Sequence, residues 1–203
     1  MKPRIEQKLL VEPGDYPALL TWLSRSGATL LHPDRVVTST YFDTPDLLMF
    51  RDTAEGISPR KKVRIRCYGS HDAECSAKHS LEIKLTTEAG RLKRSSGCPD
   101  WRQVFAAGVF DPDYGLCEPA VTVNYQRSYY SVHDVRVTVD RHLRYRGVRS
   151  DAIAAQWFDD AGMAVEVKAP AGEDLDRLAN DFPIPRTHFS KYERAIHAVR
   201  PRA

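Results

Sequence analysis

The stretch RKKVRIRCYG, Arg60–Gly69, decides how this chain is read. Five of its ten residues are cationic, and after Lys62 every second residue is apolar. Successive side chains of a strand point to opposite faces. As a strand, the stretch puts Val63, Ile65 and Cys67 on one face and Lys62, Arg64, Arg66 and Tyr68 on the other. The question is whether the cationic face is an ordinary wet surface or is aimed at an anion. Arg60 and Lys61 read as surface charges on the loop before the strand.

The same alternation recurs outward from this stretch. RIEQKLLV (4–11), VVTSTYF (36–42), SLEIKLT (80–86), GRLKRS (90–95), AVTVNYQRSYY (120–130), VRVTVDRHL (135–143) and MAVEVKA (163–169) all read as strands. The expectation is a sheet of about eight strands. Helices are fewer. GDYPALLTWLSRSG (14–27) and PDWRQVFAAG (99–108) have Asp15 and Asp100 as cap candidates and Gly27 and Gly108 as stops. GEDLDRLANDF (172–182) and SKYERAIHAVR (190–200) also read as helical, while TPDLLMF (44–50) fits either a turn or a helix start. Segments 69–79 and 150–162 read as loops. Trp22 and Trp101 read as helix-to-sheet packing.

The polar positions of the strands carry Arg and Lys at short spacing with single acids among them: R-x-E-x-K, R-x-R, E-x-K, R-x-T-x-D and E-x-K. A sheet must protect its edges, and closure into a barrel does so fully. Charges inside a barrel are costly unless paired or hydrated, and an excess of cations there suits a polyanionic guest. The bland alternative is that Glu82–Lys84 and Glu166–Lys168 are cross-strand ion pairs on a solvated face, each contributing about 0.2–1 kcal/mol. Arg127 departs from the pattern, because it shares parity with Val123 and Tyr125; either a bulge intervenes or the outer face of that strand is wet. Lys93 rather than Arg94 joins the cationic face if Leu92 points outward. Tyr41-Phe42-Asp43 reads as aromatic packing with an Asp turn.

The totals bound the rest. With 203 residues, 30 basic and 27 acidic, the chain suits one domain, residues 1–203, and is no polycation. Few aromatics interleave with the cations, which argues against a nucleic-acid stacking platform. The four cysteines form no CxxC pair and read as free thiols. The N-terminus lacks an apolar targeting core, and no run reaches the ~18 apolar residues of a membrane span, so a cytoplasmic location is expected. A membrane-protein partner is left open.

Seven motifs occur in order: YFDT (41–44), RIR (64–66) followed by YG, LEIK (81–84), Y-x-R-x-Y (125–129), RVTVD (136–140), VEVK (165–168) and SKYE (190–193). Together they resemble the VTC domain, the polyphosphate polymerase branch of the triphosphate tunnel metalloenzymes. The resemblance implies an α+β fold in which a closed antiparallel β-barrel forms a tunnel with a basic lumen, flanked by helices. It implies phosphoryl transfer from ATP to a growing inorganic polyphosphate chain, with Mn²⁺ or Mg²⁺. Carried over by motif, the phosphate-binding cations are Lys8, Arg64, Arg66, Lys84, Lys93, Arg127 and Arg136. Glu166 is the implied metal ligand, and Lys191 the lysine beside the transferred group, acting with Arg64 and Arg66. Glu6, Glu82, Asp140 and Lys168 match the inward parity as second choices. The hydrolytic branch opens with E-x-E-x-K, whereas this chain has Arg4, Glu6 and Lys8. A tripolyphosphate or nucleoside-triphosphate hydrolase and a non-catalytic polyphosphate-binding module remain alternatives.

Overall fold

A computed structural model describes residues 4–69, 78–133, 135–148, 156–170, 182–184, 187 and 189–200. It has an antiparallel, sheet-dominated α+β fold. In chain order the elements are β1 (Arg4–Val11), α1 (Tyr16–Arg25), β2 (Thr29–Asp43), α2 (Leu48–Ala54), β3 (Arg60–Tyr68), β4 (Ser80–Thr87) and β5 (Gly90–Gly97). There follow α3 (Trp101–Ala107), β6 (Val109–Asp111), β7 (Gly115–Val132), β8 (Val135–Gly147), β9 (Phe158–Asp160), β10 (Met163–Pro170) and α4 (Lys191–Val199). Hydrogen bonds order the strands β1-β10-β8-β7-β2-β3-β4-β5, with β6 beside β7 and β9 beside β8. The helix expected at 172–182 falls almost wholly outside the described residues, as do most of the expected loop 69–79 and the first part of 150–162. The short strands β6 and β9 were not legible, because three residues are too few to show a period.

The chain forms two compact units. The first comprises Met1–Arg35, Tyr125–Leu143 and Asp160–Phe189. Its core joins Leu9 and Val11 of β1, Val137 and Val139 of β8 and Val165 and Val167 of β10 to Leu19, Trp22 and Leu23 of α1. These α1 residues fall at i, i+3 and i+4, so they form one stripe on the helix and cover the apolar face of the strands. Trp22 meets Phe182 edge-on, with ring centroids 4.8 Å apart. Asp15 precedes α1 without a side-chain cap bond, contrary to its reading as the cap.

The second unit comprises Val36–Asn124, Arg144–Asp159 and Ser190–Ala203. Its core contains Phe42, Met49, Val63, Ile65, Cys98 and Cys117, with Trp101, Val104 and Phe105 of α3 packed on it. The apolar face of Arg60–Gly69 is therefore buried beneath a helix. Gly108 ends α3 with φ 80°, and a Cβ there would stand 2.7 Å from the Cys117 carbonyl oxygen, so only glycine fits. Asp100, like Asp15, makes no side-chain cap bond. Strand β5 is exposed along its length and carries Arg91, Lys93 and Arg94, charges that discourage edge-to-edge pairing.

Two sequence readings need correction. Lys61 is not a loose loop charge: its ammonium lies 2.9 Å from Asp111 and 2.5 Å from Asp113. Arg60 belongs to β3 and donates to the Ile57 carbonyl at 2.8 Å. The outer face of the strand bearing Arg127 is wet only in part, at half-buried Gln126, which donates to Asp34 at 3.1 Å. Its opposite-parity residues Thr122 and Asn124 are buried and hydrogen-bond to Thr40 and Thr38, each at 2.9 Å.

Candidate functional site

Each unit presents a charged face opposite its apolar core. In the second unit that face is built by β2, β3 and β4 and by edge strand β5. Register sets it out in rows. Lys62 lies opposite Lys84, and Lys84 opposite Lys93. In the next row Tyr41 lies opposite Arg64, and Arg64 opposite Glu82. Beyond it Ser39 lies opposite Arg66. Three lysines in direct register are an unfavourable arrangement for a sheet alone, because like charges across strands repel.

Glu82 organises this face. It is only 4% exposed. Arg64 donates to its Oε2 from Nε at 2.8 Å and from Nη2 at 2.5 Å, and Lys93 Nζ reaches its Oε1 at 2.6 Å. Arg66 Nη1 stands 3.9 Å from the same carboxylate and donates from Nε to Ser39 Oγ at 3.1 Å. Burial would raise the Glu82 pKa, but Arg64, Arg66 and Lys93 outweigh it and hold the carboxyl at about 2. The solvated-surface alternative for Glu82 is thus excluded, and its main partners are Arg64 and Lys93. Arg64 is 7% exposed and Arg66 9%. The expected side for Lys93 is correct, since it pairs with Lys84 while Arg94 pairs with Ile83.

Tyr41 was read as packing alone, yet it belongs to this face. Arg64 Nη1 donates to its hydroxyl at 2.9 Å. Its burial opposes ionisation, but Arg64, Arg66 and Lys62 together bring its pKa down to about 8. Its ring stacks on Tyr192 of α4 with centroids 4.9 Å apart. Tyr192 in turn donates to Asp43, whose carboxylate accepts the backbone N–H groups of Thr44, Met49 and Phe50. The Asp turn expected at YFDT is present, and it also holds the last helix.

Lys191 is the first residue of α4. Ser190 caps that helix by accepting from the Glu193 N–H, and Lys62 Nζ donates to the same Ser190 oxygen at 2.9 Å. The start of α4 is therefore tied to the lysine row. Lys62 and Ser190 were not singled out as site residues; the shared parity of Lys62 with Arg64 and Arg66 was the available signal.

The charged face of the first unit lies on β1, β10, β8 and the end of β7. Lys8 is opposite Glu166, which is opposite Thr138; Glu6 is opposite Lys168, which is opposite Arg136. Arg127 grips Asp140 with Nε at 2.5 Å and Nη2 at 2.8 Å, and Nη2 lies 3.8 Å from Glu166. It thus joins the polar set, with Tyr125 and Tyr129 of its own parity beside the guanidinium. Glu6 lies 3.0 Å from Lys8 and 3.6 Å from Lys168. Burial would raise the Glu166 pKa, but Lys8, Lys168 and Arg127 hold it well below the usual carboxylate range. Arg136 is exposed. Of the carried-over residues, Lys8, Arg127, Arg136 and Glu166 belong to the first unit, and Arg64, Arg66, Lys84, Lys93 and Lys191 to the second.

Among the described residues no three His, Cys, Asp or Glu side chains gather as a metal cage, and no helix is long and apolar enough to cross a membrane. The described cysteines, Cys67, Cys98 and Cys117, are buried thiols outside any disulfide.

The VTC domain model matches residues 3–99 and 109–200. No curated protein matches the chain. A structure from Vibrio parahaemolyticus, provisionally assigned as an adenylate cyclase, superposes with TM-score 0.55 at 16% identity, covering 95% of this chain and 98% of that one. A chain of the Schizosaccharomyces pombe Mediator head module superposes with TM-score 0.52 at 11% identity, covering 88% of this chain and 89% of the other. At such identities these likenesses concern the fold alone.

Proposed function

Since the chain belongs to the VTC-domain family, we propose that it transfers the γ-phosphoryl group of ATP to the end of a growing inorganic polyphosphate chain. In this reading the whole chain is one VTC domain, and its sheet closes into a tunnel with the charged faces inside. The observation that carries the reading is the second unit's face: Lys62, Lys84, Lys93, Arg64 and Arg66 share it with one carboxylate, Glu82, which Arg64, Arg66 and Lys93 approach. Five cations to one acid, two of the cations buried, suits a polyanion better than solvent.

Phosphoryl transfer needs alignment and charge stabilisation more than covalent catalysis. A terminal polyphosphate oxygen forms the new P–O bond as the bond to ADP breaks, and the electron pair leaves on the ADP oxygen. Arg64 and Arg66, fixed by Glu82, Tyr41 and Ser39, cost no reorganisation when charge builds on the transferring group. Lys84 and Lys93 hold phosphate oxygens. Lys191, at the tied start of α4, neutralises charge beside the transferring group. Lys8, Arg127, Arg136 and Lys168 hold further phosphates along the chain.

A divalent cation fits the first unit's face. Glu166 Oε1 is buried and accepts no hydrogen bond; Lys168 Nζ lies 2.6 Å away, near enough for an ion pair but without hydrogen-bond geometry. Mg²⁺ and Mn²⁺ favour such hard oxygens and fill the rest of their shells with water and phosphate, so Glu166 would hold the ion with Glu6 and Asp140 nearby. When bound, the cation would supply Lewis-acid chemistry that offsets phosphate charge.

The test incubates purified protein with ATP and Mn²⁺ and looks for an acid-labile phosphate polymer on gels. Chain growth that disappears in the Arg64→Ala/Arg66→Ala double variant is the expected result. Free phosphate without polymer would assign the hydrolase alternative instead. Polyphosphate binding without turnover would leave only the binding module.

A further inference from the structure

Thr138, like Glu166, carries a buried oxygen that makes no hydrogen bond, and unlike Glu166 it has no ion pair. Its neighbours Val137 and Val139 enter the first unit's core, so its own side chain lies on the charged face. Register places it directly opposite Glu166. Directly opposed residues of an antiparallel pair have Cβ atoms about 4.5–5.5 Å apart, near enough for both side chains to reach one small ligand. Thr138 is 3% exposed, and its Oγ1 makes no hydrogen bond within the described protein. Buried polar atoms are almost always satisfied, and one left without a partner calls for a ligand or a water.

A simple structural role for Thr138 leaves this unexplained. Valine has the same shape and suits the strand equally well, and its neighbours on both sides are valines. A hydroxyl kept among them, without a hydrogen bond and opposite a carboxylate whose Oε1 has only the Lys168 ion pair, marks an oxygen that the protein does not itself satisfy. Lys8, Lys168 and Arg127 surround Glu166 but bring positive charge, so none supplies an acceptor there.

We propose that Thr138 Oγ1 is a further oxygen donor of the divalent-cation site centred on Glu166, binding the ion directly or through one of its waters. The inference rests on the metal reading of Glu166 given above. It adds a residue that sequence motif alone does not mark, and it makes the site a pair of facing oxygens on β8 and β10.

Mn²⁺ binding, read by electron paramagnetic resonance of the free ion with Mn²⁺ alone and again with tripolyphosphate, tests it without reference to turnover. Thr138→Val should weaken binding about 10-fold or more, the scale typical of residues that support a metal ligand, and Thr138→Ser should restore it. In metal-free buffer Thr138→Val should melt no lower than wild type, because an unsatisfied hydroxyl has been removed. Glu166→Gln provides the second arm. If Glu166→Gln weakens Mn²⁺ binding and Thr138→Val does not, Thr138 has no part in the site although the Glu166 reading stands. If wild type binds no Mn²⁺, or Glu166→Gln binds it unchanged, the metal reading of Glu166 fails and this inference with it.

Discussion

Tyr192 donates its hydroxyl to Asp43 from 149 residues further along the chain. The bond joins YFDT to SKYE, the motif that begins α4. Asp43 is fully buried and also accepts three backbone N–H groups at the start of α2. These donors converge on one carboxylate, and helix and sheet are fastened at one point. Tyr192→Phe keeps the ring stack on Tyr41 and removes only the hydroxyl. It should cost about 1–3 kcal/mol in urea unfolding, since a charged acceptor loses a buried partner. Asp43→Ala, which strips Tyr192 and the three N–H groups of their acceptor, should cost more. Equal stability of Tyr192→Phe and wild type would show that this bond does not hold α4.

Tyr41 should be visible in a spectroscopic titration. Its folded pKa of about 8 lies below the ordinary tyrosine value of 10.0. The folded state therefore releases this proton first, so the associated stability is absent below pH 8, grows between pH 8 and 10, and is complete above that range. Its size is on the order of 2 kcal/mol. Phenolate absorbance should show one tyrosine ionising near pH 8, and Tyr41→Phe should remove that phase. A titration with every tyrosine near or above pH 10 would contradict the cationic setting assigned to Tyr41.

Glu82 should be an acid-labile anchor. Its folded pKa of about 2 lies below the ordinary 4.5, so its contribution is present above pH 4.5 and lost as pH falls toward 2. Glu82→Gln leaves Arg64, Arg66 and Lys93 without their carboxylate and should cost about 3–5 kcal/mol at neutral pH. Tripolyphosphate should return part of that stability by replacing the missing anion, so its thermal shift should be larger in the variant. A smaller shift than in wild type would mean that the polyanion does not bind these cations.

Arg127 and Asp140 give the matching prediction in the first unit. Asp140 is 0% exposed, and Arg127 is its forked partner. Arg127→Ala leaves a buried carboxylate uncompensated and should cost about 3–5 kcal/mol in chemical denaturation. Arg127→Lys keeps the charge but not the fork, and should fall between the two. If Arg127→Ala unfolds with wild-type stability, the pair is not the support of this face.

The alternation in Arg60–Gly69 determined the sheet, its two chemically distinct faces and the helix cover of the apolar one. These are local properties, because a strand's side chains alternate whatever it pairs with. The stop at Gly108 was local in the same way. Partners were not local. Parity alone grouped Glu82 with Lys84, but register and burial gave Glu82 to Arg64 and Lys93. It set Arg127 apart from the polar positions, whereas the fold sends Thr122 and Asn124 of that strand into buried hydrogen bonds and turns Arg127 toward Asp140. Position before the strand made Lys61 read as a loop charge, and the fold gave it Asp111 and Asp113. The lysine row, the descent of the Tyr41 pKa and the facing oxygens of Thr138 and Glu166 all depend on which residues stand opposite one another across strands. Only long-range pairing decides that, because a shift of one residue in register would send each of these side chains to the other face.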